Sequence, residues 1–287
     1  MNSTAAIRAN SLAALLLAAL PLATLPAASL LLAASPARAD GAAAPAGVVA
    51  DPCVGVPLQP TDAHKASGHV YEAWMHDWLA IDWAQRCRYR AENATLPPAG
   101  PRRLVLVGDS ITEGWRNQVP AFFDAQLLDR GISGQVTEQM LLRMRDDALA
   151  LSPAAVQIMA GTNDLAGNRG PTTLATIEGN IASMAELAHA HGVRVLIASI
   201  PPASAFPWQP ATHPAEDIRT LNAWLRDYAA RKHHTYVDYY AVLVDAQGGM
   251  RAEYSADGVH PNAAAYAAMQ PVLEAALVRA YAGAGMR

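Results

Sequence analysis

The chain has 287 residues, of which 52% are hydrophobic and 16% charged, with a formal net charge of −4. Charges of both signs are interspersed, and nothing resembles the basic stripe that neutralises phosphates, so nucleic acid is not an expected partner. The length fits one large domain or two small ones at roughly 100–200 residues each, and the apolar stock, rich in alanine with six Trp and three Phe, suffices for a core.

Residues 1–39 have their own composition. Arg8 gives a positive start, Leu12 to Ala34 is almost wholly apolar, and Ala37-Arg38-Ala39 has the small-x-small form read by signal peptidase. These features predict a signal peptide removed on export, to the periplasm or beyond. The alternative is a membrane anchor, but Pro21 and Pro26 interrupt the apolar stretch. No later segment has ~18 continuous apolar residues, so the mature chain is expected not to insert stably in a membrane. An oxidising compartment favours pairing of the only two cysteines, Cys53 and Cys87, over two free buried thiols. The bridge would close a loop of about 35 residues, contributing roughly 3–4 kcal/mol by chain entropy.

Residues 40–101 read as a flexible leader followed by a helical extension tied by that disulfide. Val70, Trp74, Trp78, Ile81 and Trp83 recur at mainly helical spacing, which predicts one amphipathic helix over 69–93 with its tryptophans as core. The Pro-rich run 96–101 is a linker. Residues 102–287 form the main domain. Short apolar runs at 104–107, 155–160, 193–200 and 235–239 predict buried parallel strands, with 127–132 a further candidate. Helical patterns fall at 120–128, 138–151, 174–191, 215–232 and 262–282. Alternating strands and helices imply an α/β sheet covered on both faces, with chemistry expected beyond the carboxyl ends of the strands.

Three motifs lie there: Gly108-Asp109-Ser110, Gly161-Thr162-Asn163-Asp164, and Asp257-Gly258-Val259-His260. Each alone is weak, since Asp, Ser and Asn are common in turns and helix caps. Together they meet the needs of acyl transfer. A serine hydroxyl requires a base within reach, and His260 is the candidate. The imidazole requires a carboxylate on its other nitrogen, and Asp257 lies three residues upstream. The oxyanion requires preorganised donors, and the N–H of Ser110 and the amide of Asn163 supply two.

From Leu104 through the last helix, these blocks make the sequence resemble the SGNH hydrolases, also called GDSL lipases and esterases. The run from Gly131 to Thr137 looks like that family's second block, whose glycine N–H donates to the oxyanion; Gly134 rather than Gly131 takes that role. The similarity is greatest to the platelet-activating-factor acetylhydrolase-like and lysophospholipase-like branch. It implies a flavodoxin-like three-layer α/β/α sandwich with a five-stranded parallel sheet. The nucleophile does not lie in a Gly-x-Ser-x-Gly elbow, so the α/β-hydrolase arrangement is not what the sequence carries.

Other residues receive plainer readings. Asp109 is expected to bond turn amides, and Asp164 to cap the segment after Asn163. His233-His234 and His189-x-His191 read as solvated helix ends rather than metal ligands, and the sequon Asn93-Ala94-Thr95 is too common a pattern to weigh. Trp115, Asn168, Phe206 and Trp208 are candidates to line the substrate pocket, with packing under loops the equal alternative. The function expected is a cofactor-free serine ester hydrolase for small acyl esters, such as acetyl groups on sugars or polysaccharides. The alternatives are a lysophospholipase or thioesterase-type acylhydrolase, transfer to an acceptor other than water, and a non-catalytic glycan-binding protein of the same fold.

Overall fold

A computed structural model describes residues 47–282; the signal-peptide expectation over 1–39 and the start of the leader lie outside the described residues. The extension contains α1 (Asp62–Ala66), α2 (Val70–Ile81) and α3 (Arg90–Thr95). The single helix expected over 69–93 is therefore broken. Asp82 is the reason: its carboxylate accepts the backbone N–H groups of Arg86 and Cys87, each at 2.9 Å, and so offers the chain an alternative to helix. Gln85 follows in the left-handed region at φ 54°. Cys53 and Cys87 are joined as a disulfide, and Cys87 packs with Val56, Met75 and Trp78 in a small core of the extension's own. Trp78 is core as expected, whereas Trp83 is 41% exposed.

The main domain continues with β1 (Leu104–Gly108), α4 (Ser110–Gln118), β2 (Leu127–Gly131), α5 (Thr137–Asp147), β3 (Ala155–Met159), α6 (Thr162–Leu165), α7 (Leu174–Ala190), β4 (Arg194–Ala198), α8 (Ala215–Arg231), β5 (Thr235–Val237), α9 (Tyr239–Leu243) and α10 (Ala263–Ala282). The five strands are all parallel in the order β2-β1-β3-β4-β5, the doubly wound flavodoxin-like order. Alternation along β1 divides the core. Val105 and Val107 face a layer built on Met140, Met144, Ile177, Ile181, Leu221 and Leu225 of α5, α7 and α8. Leu104 and Leu106 face Trp115, Tyr239, Tyr266, Met269 and Leu273 of α4, α9 and α10. Side chains that alternate across a strand thus give three layers from one apolar run.

The helix expected over 120–128 is not there. Pro120–Phe122 is a single 3₁₀ turn and Leu127–Gly131 is the edge strand β2, while the helix forms directly on Ser110. Asp109 starts it by accepting the N–H of Ile111 at 2.9 Å, a helix-capping bond. Gly114 sits inside the helix because a Cβ there would meet the Tyr266 hydroxyl at 2.7 Å. The strand order reverses between β1 and β3, and in such sheets the crevice at that reversal is the usual ligand site. Ser110 follows β1 and Asn163 follows β3.

Candidate active site

Two segments far apart in the chain meet at this crevice. Ser110 occupies the first turn of α4, and His260 comes from the loop before α10. Ser110 Oγ lies 3.0 Å from His260 Nε2, and His260 Nδ1 lies 2.7 Å from Asp257 Oδ2. Asp257 Oδ1 also accepts the backbone N–H of Val259 at 2.9 Å, that of His260 at 2.8 Å, and the Ser255 hydroxyl at 3.0 Å. Partial burial pushes the Asp257 carboxyl up, but the bonds from the His260 side chain and from the two backbone groups outweigh it and hold the carboxyl well below its usual range. Asp257 is therefore ionised at neutral pH, and the hydrogen-bonded tautomer of His260 carries its proton on Nδ1 and leaves Nε2 free to accept from Ser110.

Three candidate oxyanion donors accompany this triad, two of them unclaimed. None of the described residues accepts a hydrogen bond from the backbone N–H of Ser110 or Gly134; the first is one of the orphan donors at a helix N-terminus. Gly134 has φ +76°, a left-handed conformation that favours glycine, and the only atom near a Cβ there would be the Tyr71 hydroxyl at 3.8 Å. Gly131 is glycine for another reason: a Cβ there would sit 2.2 Å from the Glu113 amide nitrogen. That close approach lets α4 pack on β2. The third donor, Asn163 Nδ2, is held by the Gln135 carbonyl at 3.0 Å, with Asp109 Oδ2 a longer 3.4 Å away.

Asn163 is oriented from its other side too. Its Oδ1 accepts from Asn168 Nδ2 at 2.6 Å, and Asn168 Oδ1 accepts from Trp208 Nε1 at 2.9 Å. Trp208 is 39% exposed and its ring lies 5.8 Å from that of His260. Phe206 is fully buried and stacks on Trp208 at 5.4 Å. Asn168 and Trp208 thus lie beside Asn163 and His260, Phe206 supports Trp208 from within, and Trp115 must be corrected. Trp115 is fully buried among Phe122, Phe123, Tyr239 and Tyr266 on the inner side of α4, because four residues separate it from Ile111 and both face the sheet.

Asp109 bonds a turn amide as expected, and burial raises its carboxyl to about 6. Asp164 does not cap its own segment. It accepts the backbone N–H of Thr137 at 3.0 Å and the Thr137 hydroxyl at 2.6 Å, and so caps α5, the helix that follows the Gly134 loop. Of the histidines at the helix ends, His189, His191 and His233 are exposed as expected, and only His234 is half-buried. The His234 ring lies 6.0 Å from His189 and 5.9 Å from Tyr228, and burial pushes its pKa down to about 4. The sequon asparagine, Asn93, is occupied internally, donating to Asp147 and accepting from Arg130, each at 2.9 Å.

Sequence reasoning missed the brace under the Gly134 loop. Gln135 is fully buried and donates from Nε2 to the Ala84 carbonyl at 3.0 Å, while Arg143 donates to Gln135 Oε1 at 2.5 Å and to the Gly108 carbonyl at 2.9 Å. Tyr89 donates to the Gly131 carbonyl, and Gln139 donates to the Trp83 carbonyl at 2.6 Å. The extension is thereby bonded to the loop that presents Gly134 and to the residue that holds Asn163. Only the position of Gln135 next to Gly134 hinted at this; buried polar residues carry no periodic signature.

A doubly wound α/β protein with a serine, imidazole and carboxylate in line at the sheet's reversal point has the architecture of a serine hydrolase. The sequence pattern of the GDSL-like lipase/acylhydrolase family matches residues 106–268, and the chain belongs to that family as an SGNH-type esterase or acylhydrolase. Esterase TesA of Pseudomonas aeruginosa is 29% identical over 180 residues, covering 58% of this chain and 83% of TesA. Among solved structures, a candidate acylhydrolase from Bacteroides fragilis is 41% identical with a TM-score of 0.67, covering 69% of this chain and 98% of its own. A GDSL-like lipase from Bacteroides thetaiotaomicron is 41% identical with a TM-score of 0.66 at the same coverages, 69% and 98%.

Proposed function

We propose that this chain hydrolyses short acyl esters of the acetyl type, including acetyl groups carried by sugars, through an acyl-enzyme on Ser110. The observation that carries the reading is the unbroken line from Ser110 Oγ through His260 to Asp257. Ser110 Oγ attacks the ester carbonyl carbon while its proton passes to His260 Nε2. The carbonyl electron pair moves onto oxygen, which the N–H groups of Ser110 and Gly134 and the Asn163 amide receive. Asp257 holds the ring orientation and faces the imidazolium that forms. Collapse of the tetrahedral adduct expels the alcohol, which takes the proton from Nε2. Water, giving a proton to Nε2, then attacks the acyl-enzyme; a second collapse frees the acid and returns the proton to Ser110. Both halves balance with water alone.

A short acyl group is favoured by how the neighbouring volume is filled. The aromatic group around Trp115 occupies the space beneath α4, and Phe206 with Trp208 occupies the side beside His260. Export to the periplasm or the medium is part of the same proposal, supported by the leader at 1–39 and by the disulfide, which suits an oxidising compartment. The test is turnover of 4-nitrophenyl acetate by the wild type and Ser110→Ala, followed by a series from acetyl to long acyl esters. Loss of turnover in the variant and decline with chain length are expected. Equal rates in both proteins would overturn the enzyme reading, and a rise with chain length would favour a lysophospholipase or thioesterase-type acylhydrolase instead.

A further inference from the structure

The acyl-transfer chemistry leaves one charged group beside the site without employment. Arg169 follows Asn168, the residue that orients Asn163, and its guanidinium donates to the Asn168 carbonyl at 3.1 Å. Its position is thus tied to the segment that follows α6, the helix that carries the Asn163 amide. Arginines in and beside the extension's contact with the domain are matched by carboxylates: Arg88 with Glu113, Arg116 and Arg130 with Glu92, Arg143 with Asp147. Arg169 has no carboxylate within salt-bridge distance among the described residues. It reaches solvent, yet its surroundings desolvate the guanidinium enough to push its pKa down, opposed by Tyr71 alone. An exposed guanidinium with no carboxylate partner is open to an anion from solution.

Tyr71 supplies the second wall. It projects from α2 of the extension, is 52% exposed, and stands edge-on to Trp74 at 6.2 Å. Its hydroxyl lies 3.8 Å from the Cβ position of Gly134, the residue that carries a candidate oxyanion donor. Burial raises the Tyr71 phenol and the charge of Arg169 opposes that rise, so the two side chains share one electrostatic neighbourhood. A guanidinium fork and a phenolic O–H form a donor set suited to carboxylate or phosphate oxygens.

Resting on the ester-hydrolase reading, we infer that Arg169 and Tyr71 form an anion-reading rim on the oxyanion side of the site, selecting esters whose non-reacting part carries a carboxylate or phosphate. An acetylated acidic sugar is the carboxylate case, and an acetylated sugar phosphate the phosphate case. The extension then takes part in substrate choice as well as bracing the loop.

The test compares kcat/KM for mono-O-acetyl galacturonate, mono-O-acetyl galactose and an O-acetylated galactose 6-phosphate, with 4-nitrophenyl acetate followed in every protein. Wild type is expected to prefer one or both acidic probes over the neutral sugar by about tenfold, mainly through KM, and to lose that preference as salt is raised. The acidic-to-neutral ratio is expected to fall about tenfold in Arg169→Gln, to invert in Arg169→Glu, and to be largely retained in Arg169→Lys. Tyr71→Phe should lower the ratio less. Whichever acidic probe carries the preference identifies the anion. Equal rates on all three sugars in wild type, or a ratio unchanged in Arg169→Glu, would overturn the rim. Absence of Ser110-dependent 4-nitrophenyl acetate turnover would overturn the hydrolase reading itself, which separates the two failures.

Discussion

Replacing Asn168 with Ala tests whether the third oxyanion donor is held in place by its neighbours. Asn163 is 4% exposed, and its Oδ1 accepts from Asn168 Nδ2 at 2.6 Å, so Asn168→Ala leaves a buried acceptor unpaired. Such a loss costs about 1–3 kcal/mol. If it is felt as misorientation of the Asn163 amide in the transition state, kcat falls by roughly 5- to 150-fold with KM nearly unchanged. Asn163→Ala removes the donor itself, which costs about 2.7–4 kcal/mol, or roughly 10²–10³ in kcat. Because Asn168 acts through Asn163, the double variant should be no slower than Asn163→Ala within about twofold, a coupling that a double-mutant cycle reads directly. Steady-state kinetics on 4-nitrophenyl acetate, with thermal melts to verify folding, is the assay. Additive losses, or an Asn168→Ala effect confined to KM, would refute the relay.

Asp257→Asn is expected to keep the fold and lose roughly 10³–10⁴ in kcat, since the amide no longer fixes the His260 tautomer; a loss below tenfold would count against the triad. The Cys53→Ser/Cys87→Ser pair opens a link between residues 34 apart, so urea denaturation should report a loss of about 3–4 kcal/mol. Because Ala84 and Tyr89 of that segment brace Gln135 and Gly131, kcat should fall with it. Asp129 gives a pH test: burial raises its carboxyl from an ordinary 3.8 to about 7, and its Oδ2 has no partner. The native state therefore binds more protons than the unfolded chain in that window, so stability is lost as pH rises from about 4 to 7. Asp129→Asn should raise the melting temperature at pH 8 relative to wild type and give no such gain at pH 4. A gain that does not depend on pH would refute the assignment.

The parts legible in the sequence were those with a local signature. The runs at 104–107 and 155–160 are buried on both faces and read as strands without knowledge of their partners, and Asp257 with His260 meet through a three-residue turn. Helix α4 was not legible, because Gly114 and the polar residues around it thin the apolar pattern to Ile111 and Trp115. Trp115 itself looked like a pocket residue through nearness to Ser110 in the chain, yet a helix turns it to the opposite side. Asp164 reaches Thr137 across 27 positions and Tyr71 reaches Gly134 across 63. Contacts at such separations depend on the whole fold, and nothing in the local pattern announces them.

The measurement that bears most directly on Ser110 as nucleophile is labelling with an aryl phosphonofluoridate, followed by peptide mass mapping and residual turnover on 4-nitrophenyl acetate. One label per chain, on Ser110, with activity lost in proportion to labelling and no label in His260→Ala, is the predicted result. Label on another residue, or full labelling of Ser110 with turnover intact, would contradict it.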